Sequence, residues 1–243
     1  MGDIVRQDRA YTIAVLHKLL SMYEMEWEQL GYAMPRHALS SCMFLLVSCL
    51  GGLRGFEVMW TDLSALRYDV QFCEAQMDFT AVSWPVVGRF KAHQGVLGCY
   101  MIPIAGTTDS EIPFFTWTRR FINSLAKEVI QEGWAFQRPN GERGMAGDYR
   151  EEIFTKLEQI QATTTLIDPD CNIWDAYGMQ RSGRCFLTTH ATNEGVSPHD
   201  IELQCRWSTD RAKGERSVQR SMLHTYSEIR NMKEALIRPS KAC

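Results

Sequence analysis

The sequence predicts a mainly α-helical fold with a small antiparallel β-sheet inserted after the third helical segment. Two observations support this prediction. Several segments carry apolar residues at helical spacing, whereas residues 68–106 are rich in β-branched and aromatic residues that alternate in short runs. With 243 residues, 45% of them hydrophobic, the chain is long enough to bury one sizeable core.

The helical pattern is clearest near the N-terminus. One face of residues 10–30 carries the apolar residues Ile13, Leu16, Leu19, Leu20, Tyr23 and Trp27. A second helix is predicted over about 38–49, where the run "CMFLLVSCLGGL" indicates a buried helix that is too short to span a bilayer. Gly51 and Gly52 are expected to end this helix, and "RGFEVMWTDL" is interpreted as a short further turn.

The remaining elements are predicted where the spacing of the apolar residues changes. Two or three antiparallel strands are predicted over 68–106, with Gly88 and Gly95 at the breaks. Asp148 is expected to be the N-cap of a helix that ends near residue 164. Further helices are predicted over 114–133, 179–192, 198–207 and 218–236. No repeat or long linker divides the chain.

Charge and cysteine content restrict the class of protein. The net charge is −3, but residues 177–243 hold 11 Lys and Arg against 7 Asp and Glu, whereas the preceding residues hold 15 against 22. An anionic partner is therefore expected at the C-terminal part. The eight cysteines are scattered without a C-x-x-C pair and no secretion signal opens the sequence, which favours reduced thiols in an intracellular protein without a membrane segment.

Common site motifs do not occur in this sequence. It contains no G-x-x-x-x-G-K-[ST] or G-x-G-x-x-G loop for nucleotide phosphates, no H-E-x-x-H pair for zinc and no G-x-S-x-G nucleophile turn. The six histidines are dispersed. We therefore expect neither a cofactor nor a metal ion at the functional site.

One further set of residues combines basic and aromatic side chains. Each member alone has an ordinary structural explanation, such as a surface charge, a helix ion pair or core packing. In chain order, the set is Arg54, Lys91, Arg181, Arg184, Trp207 and Tyr226.

The first half of this set resembles the tyrosine recombinases, or phage-integrase superfamily. Arg54 and Glu57 in "LRGFE" match the family's first box, Arg-x-x-Glu, and Lys91 in "GRFKAHQG" matches its lysine on a following strand pair. Arg181 to Arg184, "RSGR", matches the second box, His-x-x-Arg, with an arginine in the first position. The resemblance implies the tyrosine recombinase-like catalytic fold.

The second half extends the resemblance to about residues 10–240. A helix, a turn at Gly195 and a second helix lead to Trp207 at the family's spacing, and Tyr226 is the only tyrosine beyond it. The resemblance implies a single catalytic domain over residues 1–243. Within it, residues 1–35 would be a leading helix or a remnant of an N-terminal DNA-clamp domain, and the separate core-binding domain would be absent.

The chemistry that the resemblance implies is DNA strand exchange by transesterification. The oxygen of Tyr226 attacks a backbone phosphate, a 3′-phosphotyrosyl bond forms and a 5′-hydroxyl leaves. Lys91 would protonate that leaving oxygen as a general acid. His224 could assist deprotonation of Tyr226. The covalent link conserves the bond energy, so no cofactor is needed.

The remaining site residues would stabilise the charged transition state. Arg54 and Arg184 would clamp the non-bridging phosphate oxygens through paired hydrogen bonds, and Glu57 would hold Arg54 in place. Arg181 and the indole N–H of Trp207 would complete the phosphate pocket.

The family also implies partners and leaves alternatives open. Double-stranded DNA would be the substrate and a tetramer on DNA the assembly. The location would be the nucleus of a eukaryotic source and otherwise the cytoplasm or nucleoid, and the source would be a mobile element. A type IB topoisomerase-like enzyme, a catalytically inactive DNA-binding relative and a helical interaction module are alternatives. The long stretch between Trp207 and Tyr226 leaves open whether Tyr226 acts in its own or a neighbouring subunit.

Overall fold

A computed structural model of the protein describes residues 8–62, 81–88, 98–125, 133–205 and 232–243. Helix α2 (Arg36–Leu50) is the central element, and every residue from Ala38 to Leu50 is buried. The helix is surrounded because its sequence is apolar on all sides. Gly51 caps its C-terminus, and Gly52 has a φ of 59°, a conformation that favours glycine.

Helix α1 (Ile13–Leu30) covers one side of α2. Thr12 caps it, because its hydroxyl accepts a hydrogen bond from the Val15 N–H at 3.2 Å. The face predicted to be apolar is the one that is buried, with Trp27 half-buried at its end. A 3₁₀ turn at Gly31–Ala33 leads on to α2.

The short helix α3 (Gly55–Val58) precedes a two-stranded sheet. Strands β1 (Ala81–Gly88) and β2 (Gly98–Ala105) pair antiparallel from Ala81↔Ala105 to Gly88↔Gly98. The sheet lies next to the end of α3, because the main-chain N–H of Val87 in β1 donates a hydrogen bond to the carbonyl of Trp60 at 2.7 Å.

Among the described residues, the other regular elements are helices, as the sequence predicts, although most of the helix predicted over 218–236 lies outside the described residues. The fold is therefore mainly α with a small antiparallel sheet. These helices are α4 (Phe114–Asn123), α5 (Arg150–Thr163), α6 (Ile173–Ala176), α7 (Ser182–Asn193), α8 (Pro198–Gln204) and α9 (Met232–Lys241), with a 3₁₀ turn at Ala146–Tyr149 before α5. Helix α7 packs against α2, while α9 packs against α8 and β2.

The start of α5 differs from the sequence prediction. Asp148 is not the N-cap of this helix but lies in the 3₁₀ turn before it, and α5 begins at Arg150. The Asp148 carboxylate accepts hydrogen bonds from the Arg138 guanidinium at 2.8 and 3.0 Å and from the Met145 N–H at 2.8 Å. The contact with Arg138 depends on the preceding loop, so local spacing does not predict it.

Among the residues that the structure describes, no helix combines the length and the apolar character needed to cross a membrane.

Candidate active site

Arg54 and Glu57 lie at the two ends of one turn. Arg54 is the last residue before α3, and Glu57 is the third residue of that helix. The Glu57 carboxylate accepts a hydrogen bond from the main-chain N–H of Arg54 at 2.8 Å. Because Glu57 is buried and Arg54 is half-buried, the turn anchors Arg54 while part of its side chain stays accessible.

Arg184 approaches the same carboxylate from α7. Its Nη1 lies 3.7 Å from Oε2 of Glu57, and both side chains are almost fully buried. Its Nη2 donates a hydrogen bond to the carbonyl oxygen of Cys205, just beyond the end of α8. Glu57 therefore joins the main chain at Arg54 to the guanidinium of Arg184, and the two sequence boxes meet in space.

Two glycines allow this close approach. A Cβ atom on Gly55 would lie 2.2 Å from the Met179 carbonyl oxygen, and one on Gly183 would lie 2.3 Å from Oγ and 2.7 Å from Cβ of Ser48. Real Cβ atoms do not make contacts this short. The residue after Arg54 and the residue before Arg184 are thus fixed by backbone contact with the rest of the fold.

Arg181 occupies a different environment from Arg184. It is the residue before α7, its side chain is exposed, and its carbonyl accepts the first helical hydrogen bond, from the Cys185 N–H at 2.8 Å. Arg184, one turn later, is buried. Arg181 therefore presents its charge to solvent at the helix start, next to the buried contact between Arg184 and Glu57.

Cys185 directly follows Arg184, and the charges of both arginines act on its thiol. Burial raises its pKa above the usual value and the Asp8 carboxylate raises it further, against a smaller opposing effect of Arg181 and Arg184. The raised pKa keeps the thiol protonated at neutral pH. It therefore does not neutralise the positive charge of its neighbours.

Lys91, Trp207 and Tyr226 lie outside the described residues, as does His224. Lys91 belongs to the connection between β1 and β2, whose register ends at the pair Gly88↔Gly98. Trp207 follows Cys205 by two residues in the sequence, and Tyr226 belongs to the segment between α8 and α9. Their catalytic roles remain predictions.

Metal ligands are not grouped in the part of the chain that the structure describes: no three His, Cys, Asp or Glu side chains there are arranged to hold an ion.

Sequence reasoning missed the residues that hold the two boxes together. Gly55, Gly183 and Ser48 make the backbone contacts, and Gln180 accepts hydrogen bonds from the start of α3. A signal was present, because a glycine stands inside each box, in "RGFE" and in "RSGR". A glycine inside such a box indicates a close backbone approach.

Comparison with known proteins identifies a related fold. The sequence matches no protein-family model and no curated protein. Among solved structures, the chain is similar to the Tn1549 transposon integrase, residues 82–397, in complex with circular intermediate DNA. The TM-score is 0.50 and the sequence identity 14%, and the match covers 94% of this chain but 66% of the integrase chain. The chain therefore shares the mainly helical fold of this integrase, and within that fold its two arginine boxes are joined at Glu57.

Proposed function

We propose that this chain is the catalytic domain of a site-specific DNA recombinase from a mobile element, working inside the cell. One observation carries the proposal. Glu57 connects the main chain of Arg54 with the guanidinium of Arg184, in a fold that is similar to a transposon integrase bound to DNA.

The two arginines suit a reaction at a phosphodiester. Negative charge accumulates on the non-bridging oxygens in the transition state, and guanidinium groups meet such oxygens with paired hydrogen bonds. Donors that are held in place before the reaction commonly contribute about 3 kcal/mol each. Glu57 and the Cys205 carbonyl restrict the Arg184 guanidinium in this way.

The covalent step assigned to Tyr226 balances without an external cofactor. The phenol loses its proton to water, its oxygen attacks phosphorus, the bond to the 5′-oxygen breaks, and Lys91 gives that oxygen a proton. A phenol has a pKa of about 10, so neighbouring positive charge favours its reactive anion. The reverse step with a different 5′-hydroxyl joins the new strand, and a tetramer on the DNA would bring four such sites together.

A covalent trapping experiment tests the proposal. The probe is a pool of nicked duplexes with a randomised core, in which the cleaved fragment diffuses away and the protein stays linked to DNA. We expect the wild-type chain to form adducts and Tyr226→Phe to form none. Tyr32→Phe, at an exposed tyrosine on the 3₁₀ turn after α1, is the matched control and should behave as wild type.

The other outcomes separate the alternatives. An adduct that persists in Tyr226→Phe would overturn the assignment of the nucleophile. Duplex binding without any adduct would identify an inactive DNA-binding relative. Relaxation of supercoiled plasmid without site preference would identify a topoisomerase-like enzyme instead of a recombinase.

A further inference from the structure

Gln180 lies in the loop before the second box and contacts the first box twice. Its side-chain Oε1 accepts a hydrogen bond from the Phe56 N–H at 2.9 Å, and its main-chain carbonyl accepts one from the Gly55 N–H at 3.3 Å. Gly55 and Phe56 are the first two residues of α3. The first N–H groups of a helix have no acceptor within the helix, so Gln180 supplies two of the acceptors that α3 needs.

The loop that carries Gln180 is itself fixed. The Gly178 N–H donates to the Ser182 hydroxyl at 2.9 Å, and the Arg181 N–H donates to the Gly178 carbonyl at 3.2 Å. The Met179 carbonyl lies so close to Gly55 that a Cβ atom there would not fit. Through Gln180, the loop before the second box therefore fixes the position of the start of α3.

These contacts complete the anchoring of Arg54. Its own N–H is bound by Glu57, and the next two N–H groups, of Gly55 and Phe56, are bound by Gln180. Three consecutive main-chain groups around one side chain thus have fixed partners. A side chain that must meet a phosphate oxygen depends on this precision, because a displacement of about 1 Å can reduce a rate by about 100-fold.

The exposure of Gln180 argues against a role in core packing. Its side chain is exposed, and loss of a side-chain acceptor at a helix start typically costs about 1 kcal/mol. The fold should survive such a loss, whereas the position of Arg54 should not. We propose that Gln180 is a positioning residue that holds Arg54 in register with the second box. This proposal rests on the proposed function, in which Arg54 binds the scissile phosphate.

The test compares variants that remove or keep the acceptor. Gln180→Leu removes Oε1, Gln180→Glu keeps a side-chain oxygen at the same place, and Gln29→Leu changes an exposed glutamine on α1 as the matched control. Each is made alone and together with Arg54→Ala. The readouts are the adduct rate at saturating DNA, the DNA concentration for half the maximal rate, and affinity for a random-sequence duplex.

We expect Gln180→Leu to lower the saturating rate by about tenfold or more while the half-saturating concentration changes little. Gln180→Glu should restore most of the rate. In the Arg54→Ala background, Gln180→Leu should have no further effect on rate or duplex affinity, because a positioning residue acts only through the group that it positions.

Amide hydrogen exchange provides a readout that needs no DNA. The Phe56 N–H should exchange faster in Gln180→Leu than in wild type and should be unchanged in Gln29→Leu. Equal proportional losses of adduct rate when Gln180→Leu is added to the wild type and to Arg54→Ala would overturn the positioning role. Failure of the wild-type chain to bind duplex DNA or form adducts would overturn the proposed function itself, a separate result.

Discussion

The carboxylate of Glu57 lies 3.7 Å from Nη1 of Arg184, and the two side chains are 5% and 9% exposed. A charge pair this deeply buried is sensitive to the loss of one member, because the remaining buried charge loses an opposite charge that water cannot readily replace. The pair also joins elements that are far apart in the sequence, so its loss should disturb the structure of both boxes.

Glu57→Gln tests this pair. An amide can still accept the Arg54 N–H but carries no charge, so we expect a loss of about 3 kcal/mol in the free energy of unfolding. Urea unfolding followed by circular dichroism measures it. Glu28→Gln, at an exposed glutamate on α1, is the control and should change stability little. Similar losses in both variants would contradict the importance of the buried pair.

Gly183→Ala tests the contact between α7 and α2. The new methyl group would overlap Ser48, so the helices must separate, and we expect a loss of about 2 kcal/mol together with a lower adduct rate as Arg184 moves. Gly147→Ala is the matched control, since a Cβ atom there meets nothing within 4 Å. Thermal unfolding distinguishes them, and equal midpoints would show that α7 accommodates the methyl group.

Arg120→Lys tests a clamp between α4 and α1. The Arg120 guanidinium donates two hydrogen bonds to Glu24, at 2.5 and 2.6 Å, and lies 4.8 Å and 4.7 Å from the ring centres of Trp27 and Trp117. Lysine keeps the charge but loses the paired geometry and the stacking, so we expect a loss of about 1 to 2 kcal/mol. Arg119→Lys, at the exposed neighbouring position, should be neutral in the same unfolding experiment.

Asp148 should make stability depend on pH. Hydrogen bonds from Arg138 lower the pKa of its carboxyl below the usual 3.8, against a smaller opposing effect of burial. A lowered pKa in the folded state contributes stability above the unfolded pKa, and this contribution is lost as the pH falls through the folded value. The difference in unfolding midpoint between wild type and Asp148→Asn should therefore become smaller as the pH falls from about 6 to about 3.

The control for this titration is Asp170→Asn, at an exposed aspartate in the turn before α6. Its difference from wild type should stay small across the same range. A midpoint difference for Asp148→Asn that is constant with pH would mean that the Arg138 contact contributes nothing through ionisation.

Binding to duplex DNA should depend steeply on salt. The part of the chain from residue 177 carries an excess of positive charge, and each neutralised phosphate releases counterions. We expect affinity to fall by about 1,000-fold between about 50 and 200 mM salt. Arg181→Ala should reduce the slope of log affinity against log salt by about 1, whereas Arg119→Ala should leave it unchanged. A salt-independent affinity would argue against a backbone-binding face.

The sequence predicted the elements whose causes are local. The apolar run from Cys42 to Leu50 indicates a buried helix, and this stretch is buried in α2. The alternating residues around Trp84 predict a strand, which is β1. Gly195, predicted as a turn, has a φ of 75°, a conformation that glycine adopts easily.

Helix boundaries were less predictable where distant residues determine them. The helix predicted from residue 179 begins at Ser182, because the preceding loop, including Gln180, is used to bind α3. The short helix α6 was missed, although the Asn172 side chain caps it by accepting from the Trp174 N–H at 3.0 Å. An asparagine in that position is a recognised helix-start signal.

The candidate site also combines features that follow from local sequence with features that depend on distant residues. Each arginine box could be recognised because the spacing of the residues within it is visible in the sequence, and so is the order of the boxes along the chain. The role of Glu57 could be anticipated only in part: it was expected to hold Arg54, and it also contacts Arg184, which comes 127 positions later in the sequence. No sequence period encodes that second contact.

The close contact of Gly183 with Ser48 also bears on the thermodynamics of the proposed association with DNA. An arginine normally loses about 2 kcal/mol of rotamer entropy when it binds a partner. Arg184 follows a glycine that is locked against α2, and Glu57 and the Cys205 carbonyl already restrict its guanidinium. Most of that entropy is lost when the chain folds, so under the proposed function a larger share of the electrostatic attraction between Arg184 and a phosphate would remain as binding free energy.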